Sequence, residues 1–215
     1  MELTLISIIQ GVALYWLTDS SRAAISEARW MALPYIAVAL CILFQFWSWS
    51  LVHTFTIIGW PLEFSHNYFY IGATLLQAVM FTQAGNPQWW YLMGLPFAAV
   101  VWLSFGRDMH MVRAKAARLT GPAGRELAVL LIQEQRYMVR LSMPGNVLFY
   151  GVAAALMWLL PSFFVERSGH LVLAAMQLVG AIASVKRIAL FSRRVAPLVL
   201  QSRLEEKTDG IQSSA

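Results

Sequence analysis

Charge is what this sequence has least of. Only 13% of its 215 residues are Asp, Glu, Lys or Arg, and 59% are hydrophobic. A soluble domain averages about 25% charged and about 45–50% apolar residues. So few charges cannot cover the surface of a water-soluble fold of this size, and that class is excluded. Cysteine is scarcer still. Cys41 stands alone, which excludes an internal disulfide framework and any multi-cysteine metal site. It lies in an apolar run and reads as a small hydrophobe. The first residues lack the basic stretch of a secretory leader, so residues 3–17 read as a retained anchor.

Chemical motifs are missing as well. Of the four histidines, only His53 falls within an apolar run, and no second histidine is placed to share a haem iron with it. Ser48 and Ser50 have no base and acid partner in view. No metal, haem, nucleotide or other cofactor site is predicted. No charge stands at the centre of an apolar run, whereas a proton-relay transporter would ordinarily need a buried carboxylate there.

What the sequence does contain is long apolar runs. A spanning helix needs about 20 mostly apolar residues. Six segments approach or exceed that length: 3–17, 30–58, 68–83, 89–105, 144–165 and 170–185. The second is longer than one perpendicular crossing needs; 3–17 and 68–83 are the weak members. Nine Trp and seven Tyr suit the bilayer–water boundary. The expected fold is therefore all-α, a polytopic transmembrane helical protein with four to six spans.

Basic residues order these segments. Of sixteen Lys and Arg, seven lie from Arg107 to Arg140 and six from Lys186 to Lys207. The positive-inside rule puts both stretches in the cytoplasm of, by this reading, a bacterial inner membrane, with the C-terminus inside. Six crossings would put the N-terminus inside too, at the cost of an external loop holding Arg22 and Arg29. The chain then divides into an N-terminal membrane region (1–106), a basic linker (107–143), a transmembrane hairpin (144–187) and a basic tail (188–215). Clustered beside the spans, the net charge of +5 reads as lipid contact and topology, with no nucleic-acid partner expected.

The linker carries helical patterns on both sides of the breaker Thr120-Gly121-Pro122-Ala123-Gly124. Glu126, Gln133, Arg136 and Arg140 share one face of the second pattern. This is an amphipathic helical hairpin set against the membrane or a partner. Arg136 and Arg140 of this element, with Arg193 and Arg194 of the basic tail, are the candidate docking residues, for a partner subunit or anionic lipid.

Small and polar residues recur at three-and-four spacing inside the apolar runs. Gln177, Gly180, Ala181 and Ser184 form one such face, Gly151 and Ala155 another, and Gln45 and Gln77 add single amides. Faces of this kind let helix backbones approach in lipid. On this reading Gly180 sits in a helix seam and Leu178 faces lipid. The function expected is a non-enzymatic integral inner-membrane subunit of a larger or homo-oligomeric assembly, of transport or secretion type. Its partners would be the bilayer and itself or other membrane subunits. An alternative is an oligomeric pore lined by Gln177, Ser184, Gln45 or Gln77. A second is a membrane-embedded lipid-modifying enzyme, for which His53, Glu63 and His66 are the only polar cluster near one interface.

Overall fold

In lipid every backbone polar group must be satisfied internally, which favours unbroken helices. The computed structural model describes residues 2–56, 64–119 and 121–212, and these are helices and short turns with no strand. Seven α-helices follow in order: α1 (Glu2–Ser26), α2 (Leu33–Phe55), α3 (Phe64–Thr82), α4 (Pro87–Ala116), α5 (Pro122–Tyr137), α6 (Met143–Leu159) and α7 (His170–Gln212). Proline opens four of them. Pro34, Pro87, Pro122 and Pro144 sit in the first turns of α2, α4, α5 and α6; at α4 and α5, which start after turns, the missing N–H has no helical acceptor to lose. Asn86 caps α4, its side-chain oxygen accepting the Trp89 N–H at 3.3 Å.

Four segments are long and apolar enough to cross a bilayer: Trp30–Phe55, Pro87–Ala116, Pro122–Leu159 and His170–Glu205. The chain is a multi-pass membrane protein. The two weaker apolar runs of the sequence are α1 and α3, which pack against each other and, respectively, on α2 and α4. Gln10 of α1 donates to Thr74 at 3.2 Å and to Tyr70 at 3.4 Å on α3, and the Ser50 hydroxyl of α2 lies 3.4 Å from the same Tyr70 hydroxyl.

Side-chain contacts fix the direction of each helix. Tyr35 near the start of α2 meets Trp90 and Tyr91 near the start of α4 and His170 at the start of α7. Gln135 of α5 reaches Phe105 late in α4, whereas Tyr150 of α6 lies over Gly94 early in it. Thus α2, α4 and α7 run one way, and α1, α3 and the continuous rod of α5 and α6 run the other. Both basic stretches of the sequence end up at one end of this up-and-down bundle. That end is called the basic end below.

The amphipathic hairpin is formed by the last turns of α4 and by α5, and it is continuous with the spans on both sides. At 30 residues α4 is about 45 Å long, which exceeds a hydrocarbon core of about 30 Å. Arg107 to Lys115 therefore extend a spanning helix and do not start a new one. The Pro144 break is absorbed by a π-helical turn at Met138–Ser142. Gly121 makes the turn into α5 at φ 74°, where a side chain would also collide with the Glu205 carboxylate.

Candidate functional site: a cleft between α6 and α7

Helix α6 packs on α4, and α7 packs on α2 and α5. The first contact depends on Gly94, because the ring of Tyr150 occupies the space a Cβ would need. With α6 drawn to α4 and α7 to α2, the two last spans diverge. Between them opens a cleft of about 1040 Å³ with walls from α2, α4, the α5–α6 rod and α7.

Aromatic side chains fill the bundle at the end away from the basic residues. Trp90, Tyr35, Tyr91 and Phe81 are fully buried there. Trp90 stacks on Phe81 and meets Tyr35 edge to face at 5.3 Å between centroids. The Tyr35 hydroxyl lies 2.8 Å from His170 Nδ1. Below this layer the polar groups of the cleft satisfy one another. Trp90 Nε1–H donates to Gln177 Oε1 at 3.1 Å, and Gln177 Nε2 donates to the Tyr150 hydroxyl at 2.6 Å. Gln45 Nε2 donates to the Ala181 carbonyl at 2.8 Å. Ser50 and Asn146 donate to carbonyls of their own helices.

Charges converge toward the basic end. Asp108, 3% exposed, faces His53 with Oδ2 3.7 Å from Nδ1. Glu134, 8% exposed, takes a two-pronged pair of hydrogen bonds from Arg187 Nε and Nη2 at 2.9 and 2.7 Å. This bidentate geometry is the strongest form of the contact. The Arg187 guanidinium also lies over the Tyr137 ring, 3.4 Å from its centroid. Lys186 and Arg194 line the same cleft and have no ion-pair or hydrogen-bond partner among the described residues.

These carboxylates correct the expectation that no buried acid accompanies the spans. Asp108 reads in sequence as the start of a basic linker, yet it lies on the inward stripe Val101, Phe105, Asp108, Val112 of an uninterrupted α4. Glu134 occupies the equivalent place on Leu127, Leu131, Glu134, Met138. Carrying the three-and-four apolar spacing through the basic residues would have flagged both.

The small and polar residues singled out in the sequence separate. Gln45, Gln177, Gly180, Ala181 and Ser184 all line the cleft. Gln77 does not; it is fully buried in α3, and its amide atoms have no partner among the described residues. Gly151 has the Leu95 side chain 3.8 Å from where a Cβ would lie, while Ala155 is exposed. Within the chain no helix packs at Gly180: a Cβ there meets nothing within 4 Å. Leu178 is half-buried, with part of its side chain packed against the core. Arg136, Arg140 and Arg193 are exposed, and Arg194 stands at the cleft. His53 turns to Asp108; Glu63 and the His66 side chain lie outside the described residues. Among the described residues, no three His, Cys, Asp or Glu side chains gather as metal ligands.

The chain matches no protein family, no curated protein and no solved structure. Its chemistry is therefore read from its own geometry. The inner cleft offers apolar walls and amides already engaged; the outer part offers cations.

Proposed function

We propose that the chain is a non-enzymatic, transport-type subunit of a membrane assembly, and that it holds a small cargo molecule in the cleft between α6 and α7. The observation that carries this reading is the 1040 Å³ cleft itself, walled by four spanning segments. It is as large as the upper range of ligand sites, about 300–1,000 Å³, and combines apolar walls with a few placed polar groups. The basic end faces the cytoplasm by the positive-inside rule.

A pore is a weaker reading within one chain. Gln177, Gln45 and Ser184 border the cleft, but the amides are hydrogen-bonded and the end beyond them is filled by Trp90, Tyr35 and Tyr91. Membership of a larger assembly gains support from α7, where Val172, Val179, Ile182 and Leu200 are more than half exposed. Lipid or a neighbouring helix would cover that face.

A photoactivatable amino acid in place of Met176, which is exposed and lines the cleft, tests the reading in cells. The same probe at Val179, exposed but outside the cleft, gives the background of bulk lipid. A small-molecule adduct enriched at 176 over 179 is expected. An adduct to another polypeptide at 176, or no enrichment, overturns the cargo reading and makes the cleft a seam between subunits.

A further inference from the structure

Resting on that cleft reading, we infer that its occupant is an anionic, phosphate-bearing amphiphile of phospholipid type, with its head at Lys186 and Arg194 and its apolar chain along the inner walls.

Charge comes first. Both buried carboxylates that face the cleft are already engaged, Asp108 with His53 and Glu134 with Arg187. Lys186 and Arg194 are left over, and an anion is what they lack. Depth comes second. Lys186 lies about 24 Å and Arg194 about 36 Å along α7 from His170, at 1.5 Å per residue. With His170 near one edge of a core about 30 Å thick, the two cations straddle the other edge, at the level of lipid phosphates. Basic pockets between spanning helices bind lipid head groups on this principle.

Polarity comes third. A hydrophilic solute would need open hydrogen-bonding groups deep in the cleft. The Gln45 amide N–H and both ends of the Gln177 amide are instead spent on protein partners. Phe46, Phe97 and Met176 supply apolar wall. An apolar interior with cations only at the mouth fits an amphiphile. The divergence of α6 from α7 also gives a chain-bearing molecule a way in from the bilayer.

The test uses the full chain in detergent, with retained ligand read by native mass spectrometry. Phosphatidylglycerol and phosphatidylcholine are added at equal concentration, with and without excess inorganic phosphate. Preferential retention of phosphatidylglycerol is expected, and inorganic phosphate should not displace it. Lys186→Gln with Arg194→Gln should lower that retention on the order of tenfold, toward the phosphatidylcholine level. Both side chains are exposed, so the variant should unfold at the parent temperature. Gly180→Trp, built into open space, should block both lipids. If the two lipids are retained equally and Gly180→Trp lowers both, the anion inference falls and the cleft reading stands. If Gly180→Trp changes neither, the cleft reading falls with it. Displacement by inorganic phosphate would make the ligand a soluble anion and overturn the lipid assignment.

Discussion

Gly94 and Gly180 sit on facing sides of the same bundle, and the structure treats them in opposite ways. At Gly94 the Tyr150 ring fills the space of the missing side chain, and α4 and α6 lock together. At Gly180 nothing approaches within 4 Å of where a Cβ would stand, and α7 keeps away from α6. A glycine within a small-residue stripe is therefore not by itself a packing seam. What decides is whether the opposite helix presents a side chain shaped to enter, and of these two glycines Gly94 alone meets one.

Five predictions, made on six variants, put that contrast at risk. The largest effect is expected for Gly94→Leu, which drives a side chain into the Tyr150 ring. Overpacking of this kind should cost about 3 kcal/mol or more, read as lost monodispersity and a lower unfolding temperature in detergent; a stable variant would mean that α4 and α6 do not depend on this contact. Next comes Glu134→Leu, which leaves Arg187 unpaired. The loss should be about 2 kcal/mol, below the range for a fully buried pair because Arg187 is 42% exposed at its side chain and water takes up part of its charge. Arg187→Met in the same background should restore most of it, whereas failure to do so would make the bridge a net stabiliser. Leu178→Ala trims a half-buried contact and should cost about 1–2 kcal/mol, less than the full burial range.

Gly180→Leu should stay within about 0.5 kcal/mol of the parent. If it destabilises more than Leu178→Ala, the cleft closes in the membrane and α7 is a seam after all. The smallest effect belongs to Arg136→Lys with Arg140→Lys, which keeps charge on the exposed face of α5. No change in stability is expected. Reduced recovery of a partner would mark a guanidinium-specific dock, and unchanged recovery would leave simple lipid anchoring.

Most of the fold was legible because lipid imposes a simple rule, that apolar runs become helices. All six runs correspond to helices, and the hairpin at Gly121 and Pro122 was signalled by its breakers. Less visible were the joins. Basic residues from Arg107 onward read as a separate linker helix, although α4 simply continues through them. The cleft residues of α7 were visible as a periodic stripe, but periodicity says which residues share a face, not what stands opposite. Gly180 reads as a packing face in sequence, and within the chain it lines an opening. Asp108 and Glu134 escaped notice because polar and basic residues surround them in sequence, whereas on their helices they continue buried apolar stripes and meet His53 and Arg187.

The π-turn at Met138–Ser142 has a consequence for phase. Leu127, Leu131, Glu134 and Met138 define the inward side of α5. Continued as an unbroken α-helix, that side would carry Leu141, Leu148 and Val152 inward, yet these are 64%, 67% and 49% exposed. The inward side resumes instead at Tyr150, Ala153 and Met157. One inserted residue rotates everything after it by about 100°. Without that rotation Glu134 could still meet Arg187, but Tyr150 would swing away from Gly94 and Gln177. The extra residue acts as a gear tooth between the charged half of the rod and the aromatic half, letting both engage the bundle at once.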